Sequence, residues 1–209
     1  MNKDNLSMNT VVKGIFSLLL AIITIYSIIP LSAGEVETAT YCDTLAFNNT
    51  GLLENHTIPL FDPGLGNLVG VDLAVDLGVV QTYRLENEEK EVHQVGAESE
   101  SILLITMPDG SSISANASST ISEGLAAYDG NTDYEGASGK MVEVSSKGTA
   151  KKQYQELSDF VASFQNETIS LPADLSFTSS TSGSLVFRLS TIAESKICVT
   201  YTYEPGGSG

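Results

Sequence analysis

The sequence has no tryptophan, two cysteines, two histidines and only ten Lys+Arg against 26 Asp+Glu in 209 residues. Each shortage narrows the function. A formal net charge of −16 argues against any binding that works by neutralising nucleic-acid phosphates, and it disfavours anionic membrane surfaces. Without Trp, a stacking platform for sugars would have to come from Tyr. A nucleophilic hydrolase needs a base beside its nucleophile, usually His, and here only His56 and His93 are available. His56 sits inside a glycosylation sequon and His93 just past an acidic run. Neither lies near a Gly-flanked nucleophile turn, so both read as solvent-exposed surface residues.

What is present at the amino end has the order of a secretory signal. Lys3 and Lys13 precede an apolar run, Gly14–Leu31, which is followed by the small residues Ser32, Ala33 and Gly34. Cleavage is expected after Gly34, because Pro30 stops a helix just before the small residues. The run approaches the roughly 20 residues that span a bilayer, so left uncleaved, residues 14–31 would anchor the chain. Loss of Lys3, Lys13 and Asp4 makes the remainder one charge more acidic. Cys42 and Cys198 form an even pair near the two ends of the remaining chain, which suits one disulfide in an oxidising compartment. Sequons stand at Asn48, Asn55, Asn116 and Asn166. No repeat, second apolar span or change of composition divides residues 35–209, which therefore read as one secreted domain with enough apolar material, at 42% hydrophobic overall, for a core.

Strict alternation marks the strands. Val69, Val71, Leu73, Val75 and Leu77 alternate with Gly70, Asp72, Ala74 and Asp76, as a strand does with one buried face and one wet face. At the far end, Ile197, Val199, Tyr201 and Tyr203 share a face opposite Cys198, Thr200 and Thr202. Near the start, Tyr41, Leu45 and Phe47 lie opposite Thr40, Cys42 and Thr44. If the first and last strands are neighbours, this parity brings Cys42 and Cys198 together on the polar side of the sheet. Shorter runs at Thr57–Leu60, Val79–Leu85, Ser101–Met107, Ser112–Ile121, Lys140–Val144, Thr168–Leu171 and Ser184–Leu189 also read as strands. Turn signals include Asp62-Pro63-Gly64 with Gly66, and Pro108-Asp109-Gly110. The expected fold is an all-β antiparallel sandwich, jelly-roll-like or immunoglobulin-like. One short helix is expected near 151–164, where Tyr154, Leu157, Phe160, Val161 and Phe164 fall at helical spacing. The run Glu86–Glu91 reads as a solvated loop.

Two other segments bear on chemistry. Gly64-Leu65-Gly66 lacks the third glycine of a dinucleotide loop. Asp129, Asn131, Asp133 and Glu135 place oxygen-bearing residues at alternate positions, a spacing that could converge on Ca²⁺. The same residues also suit a tight Asp/Asn/Gly loop with no metal. Tyr134 stands where the helix-loop-helix calcium motif needs Gly, and Lys140 where it needs Glu. No other cofactor is implied.

Several segments, in order along the chain, resemble the choice-of-anchor E family of secreted and surface proteins in bacteria and archaea. They are Leu60–Leu68 (LFDPGLGNL), Met107–Gly110 (MPDG), Leu125–Gly139 (LAAYDGNTDYEGASG), Leu157–Phe160 (LSDF) and Val199–Tyr203 (VTYTY). The resemblance implies an extracellular β-rich domain with no catalytic residues to carry over, and turn or packing roles for Phe61-Asp62-Pro63 and Asp129–Gly136. The family is named for varied C-terminal sorting signals, and none is visible before Gly206–Gly209. The expected function is a non-enzymatic extracellular or cell-surface structural domain contacting envelope proteins, other surface proteins or itself. A carbohydrate- or ligand-binding module remains the alternative, and a carboxylate-based hydrolase the remote one.

Overall fold

The computed structural model describes residues 35–47 and 53–206, and the expected signal at 1–34 and the sequon at Asn48 lie outside them. Eight strands follow in chain order: β1 (Glu37–Phe47), β2 (Leu53–Pro59), β3 (Gly66–Glu86), β4 (His93–Thr106), β5 (Ser112–Leu125), β6 (Gly139–Tyr154), β7 (Thr168–Ser182) and β8 (Val186–Pro205). They form two four-stranded sheets, ordered β1-β8-β3-β6 and β2-β7-β4-β5, in which every pairing is antiparallel. The protein is an all-β sandwich.

Period-2 alternation explains most of the interior. Val71, Leu73, Val75, Leu77 and Val79 of β3 and Ile197, Val199 and Tyr201 of β8 face inward from the first sheet. Leu103, Ile105, Leu171, Ala173 and Leu175 answer from the second. Burying each large apolar side chain contributes about 1.5–3 kcal/mol. Val69 leaves this pattern: a register shift between Leu68 and Gly70 makes it an extra residue, and it ends 42% exposed. Towards the other end of the strands, Gln81, Tyr83, Ser99 and Ser119 form a buried polar knot. The Tyr83 and Ser99 oxygens lie 2.7 Å apart, and Ser99 donates to Gln81 Oε1 at 2.6 Å. A smaller apolar cluster, including Tyr83, Leu85, Val95 and Leu125, completes the interior.

The helix expected near 151–164 is replaced by strand and turn. β6 runs through Tyr154, and Leu157–Phe160 makes a single 3-10 turn. Tyr154 and Phe160 meet edge to face at 4.7 Å from two different elements, Val161 bridges to Phe61, and Phe164 is exposed. Their spacing is helical by coincidence of two elements sharing one core. The strands expected as Val69–Leu77 and Val79–Leu85 are one continuous 21-residue β3.

The sequence parity of the cysteines holds in space. Cys42 and Cys198 are opposite one another in the β1–β8 register, with Cα atoms 4.1 Å apart, and are joined as a disulfide. Thr40 and Thr200 hydroxyls bond beside them at 2.9 Å. On the far side of the sandwich, β6 approaches β5 through Gly148. A Cβ there would come within 2.2 Å of the Asn116 carbonyl oxygen, so only glycine fits.

Replacing both Cys42 and Cys198 by Ser releases a loop of 156 residues. In the chain-entropy account this lowers stability by up to about 5 kcal/mol, read by urea unfolding of oxidised wild type against the double variant. Gly148→Ala forces backbone apart and is expected to cost about 2–3 kcal/mol. Gly124→Ala, where the added carbon meets Gln94 Oε1 at an ordinary 3.5 Å, should change stability by less than about 0.5 kcal/mol.

Candidate functional site

The oxygen-rich segment 129–135 lies in the loop between β5 and β6. Two of its acidic side chains are engaged by the loop itself: Asp129 Oδ1 accepts from the Asn131 amide at 2.9 Å and Asp133 Oδ1 from the Glu135 amide at 2.9 Å. Asn131 also donates to Asp133. Among the described residues no three His, Cys, Asp or Glu side chains converge as ligands for a metal ion. Asp129, Asp133 and Glu135 are therefore not brought together here. The loop is held instead by its neighbour. Glu86, expected in a solvated loop, is fully buried at the end of β3, and its Oε2 accepts the Tyr134 amide at 2.7 Å. Asn87 is buried too, and its side chain bonds Glu91, Ala126 and Glu89, fixing the turn that begins beyond it.

The sequence-marked turns are structural. Asp62 Oδ1 accepts from the Gly64 amide at 2.8 Å and caps the 3-10 turn Pro63–Leu65. Gly66 follows at φ 149°, where a Cβ would collide with the Glu204 backbone. Asp109 accepts the Ser111 amide at 2.7 Å, and Gly110 takes φ 78°. Hydrogen bonds from Ser111 hold the Asp109 carboxyl below the usual carboxylate range. The sequon residues Asn55 and Asn116 are exposed on the outer face of the second sheet, and Asn166 is exposed in the loop before β7.

The group that sequence reasoning missed is His56. Far from exposed, its side chain is completely buried, and it joins the two sheets. His56 Nδ1 lies 3.1 Å from Asp43 Oδ2 on β1, and Nε2 lies 2.8 Å from Ser195 Oγ on β8. An ionised carboxylate only accepts, so Nδ1 carries the proton and Nε2 accepts from the serine hydroxyl. Asp43 Oδ2 also accepts the Thr57 amide at 2.9 Å. Burial pushes the His56 imidazole below its ordinary value, and the bond and charge of Asp43 oppose that shift without cancelling it. The strand parity could have revealed this residue, since His56 shares its face with buried Ile58 while Asn55 and Thr57 face outward. Starting the strand at Thr57 hid it. His93, by contrast, opens β4 partly buried.

Ser195, His56 and Asp43 have the connectivity of a nucleophilic triad but not its setting. Ser195 stands within a central strand, paired on both sides with Leu45 and Leu77, and its residue has no exposed surface from which a carbonyl could be attacked. The arrangement satisfies a buried imidazole and ties three strands. Tyr201 adds a second tie, its hydroxyl donating to the Pro59 carbonyl at 2.8 Å, and burial raises its pKa.

The two outer faces differ in charge. On the first sheet's outer face stand Lys147 and Lys151 of β6, Arg84 of β3 and Arg188 and Lys196 of β8, while Lys140 and Lys152 of β6 reach Glu123 and Ser111 at the second sheet's edge. The strands of the second sheet have no Lys or Arg. That sheet's outer face sets Glu98 and Glu100 among hydroxyls, including Ser118, Thr120, Thr178 and Ser180, over shallow depressions. The large aromatics are elsewhere: Tyr83, Tyr154, Tyr201 and Tyr203 are buried, and Tyr41 is 38% exposed.

No protein-family model matches the chain, and no curated protein matches it. Among solved structures, the chain is similar to one chain of infectious bursal disease virus, Gx strain, at 13% identity and a TM-score of 0.26. A chain from the T13 particle of the same virus gives 12% identity and a TM-score of 0.23. The match covers 83% and 81% of this protein but only 37% and 36% of the viral chains. Similarity of that size carries no functional argument.

Truncating His56 tests the interlock. His56→Ala should cost about 2–4 kcal/mol, because it leaves a cavity and strands the Ser195 hydroxyl, whereas Ser195→Ala should cost about 1–3 kcal/mol by leaving Nε2 unpaired. Denaturant unfolding at pH 7.5 checks both values. A loss below about 0.5 kcal/mol for each would show that the buried bonds contribute little.

Proposed function

We propose that this protein is a non-enzymatic extracellular or cell-surface domain that acts by presenting its sheet faces to envelope proteins, other surface proteins or further copies of itself. The observation that carries this reading is the cross-strand disulfide Cys42–Cys198, a bond that persists in oxidising compartments and is rare in reducing ones. The signal-like order of residues 1–34 supports export, as do sequons at exposed Asn55, Asn116 and Asn166. Membership of the choice-of-anchor E family belongs to the same proposal. It is supported by the structural use of the shared motifs: Asp62-Pro63 caps a turn, Asp109-Gly110 makes another, and the 129–136 loop docks on Glu86.

The interior supports a structural role because its polar clusters, at His56 with Asp43 and Ser195 and at Gln81 with Tyr83, Ser99 and Ser119, tie strands to one another. A ligand-binding role would rest on the hydroxyl-rich outer face around Glu98 and Glu100, with hydrogen bonds as its main resource, since no tyrosine lines those depressions. Calcium at Asp129–Glu135 would have to bind beside the loop's own hydrogen bonds, using carboxylate lone pairs that the Asn131 and Glu135 amides leave free.

Export and association are tested together by expressing the chain with residues 1–34 in a secreting host, then fractionating cells and medium. The expected product is oxidised at Cys42–Cys198, begins at residue 35, and either sediments with envelopes or gives a multimeric mass by light scattering. Glu98→Lys with Glu100→Lys should reduce that association at least tenfold if the second sheet is the contact face. A reduced product retained in the cytoplasm would overturn the extracellular reading. A soluble monomer that ignores envelopes would overturn the structural one.

A further inference from the structure

Of the two strands on the open side of the sandwich, only β1 is covalently fixed. Its neighbour β2 is the shortest strand, seven residues, and lies at the edge of its sheet with only β7 beside it. It sends two fully buried side chains inward, His56 and Ile58. At its far end it is held by Tyr201 on the Pro59 carbonyl and by the Phe61 amide on the Phe160 carbonyl. Its near end, Leu53–Thr57, is held across the sheets through His56 and through the Thr57 amide on Asp43.

We propose that His56 is an acid-sensitive latch: it holds the first half of β2 against the opposite sheet when neutral and releases that half, hinged at Pro59, when protonated. The geometry sets the direction. In the closed state Nε2 accepts from Ser195, and a proton there removes that acceptor and places a charged ring in a fully buried site. The compensating charge is limited. β1 offers the Asp43 carboxylate, whose side chain is 31% exposed and shared with Thr57. β8 offers the neutral Ser195, with Glu194 and Lys196 on its opposite face, and β7 sets Leu171 opposite His56 in register. On β2 itself Glu54 shares the side of His56 but is exposed. No Lys or Arg stands on β1, β2 or β7.

The sign of the linkage agrees. The closed-state imidazole lies below its ordinary 6.5, so an opened strand takes up a proton that the closed one refuses. Closure is fully favoured above about pH 6.5 and weakens as pH falls from there towards the lower closed-state value. If the ring stays neutral while closed, opening at pH 5.0 rises by at most about 30-fold. Tyr201 does not titrate in this range, because burial moves it upward, so the hinge end stays fixed.

Amide hydrogen exchange of the oxidised protein tests this, comparing pH 7.5 with pH 5.0 after correction for intrinsic rates. Protection of residues 54–57 and of their partners 170–173 is expected to fall about 10- to 30-fold, while β4 and β5 keep theirs. In His56→Gln, which keeps a donor and an acceptor but does not titrate, the pH dependence should vanish. Should that variant fail to fold, NMR titration of the wild-type imidazole serves instead, with a midpoint below 6.5 that coincides with the opening of β2. Unchanged β2 protection, equal loss across all strands, an imidazole midpoint at or above 6.5, or the same pH dependence in His56→Gln would overturn the latch.

Discussion

Everything in the first sheet depends on β8 lying between β1 and β3. This strand supplies hydrogen-bond partners to both neighbours along most of their length and presents Ile197, Val199 and Tyr201 to the interior. The same strand carries Cys198 on its wet side and Ser195 on its dry side, so one element provides the covalent tie within a sheet and the polar tie between sheets. Remove it, and among the described residues β1 loses its only neighbour in the sheet while β3 keeps β6 alone. Because these pairings join residues far apart in the chain, the topology is of the slow-folding, high-contact-order kind.

The two ties act on different strands and by different physics. The disulfide acts chiefly by limiting the unfolded chain, so its contribution is insensitive to the environment so long as it stays oxidised. The imidazole interlock acts in the folded state, where burial makes its bonds costly to leave unmade and makes its protonation state matter. β1 therefore belongs to the permanent part of the sandwich and the first half of β2 to its conditional part. The polar knot at Gln81, Tyr83, Ser99 and Ser119 follows the same logic further along, specifying one alignment of the sheets where apolar packing alone would tolerate several.

The sequence disclosed those features that period-2 patterning encodes. β3 is visible in its valines and leucines, and the parity of Cys42 against Tyr41 and of Cys198 against Val199 was enough to place the disulfide. Patterning failed where the inward residue is polar. Ser99, Ser101 and Ser119 face the interior, so after Val95 and Ala97 the inward face of β4 turns polar, and its exposed Glu98 and Glu100 suggested only a charged surface. His56 was hidden for the same reason, and its partners Asp43 and Ser195 lie 13 and 139 residues away. The helical spacing of 154–164 misled because it counted residues of two elements that converge on one core. The Asp129 segment was legible as a tight loop, while its support by Glu86 came from a distant strand end.

The central position of the last strand also has a consequence in time. Synthesis delivers Cys42 first and Cys198 only 156 residues later, so during all of that interval the first cysteine has no correct partner. Strands β1 and β3 must likewise wait with open edges until β8 is made. Closure of the first sheet thus waits for β8, and the joining of Cys42 to Cys198, with an oxidant of the compartment taking up the two electrons, records that it has taken place. A chain that ends between β6 and β8 carries Cys42 without its partner, β1 without a sheet neighbour and β3 with one open edge, which marks it as unfinished.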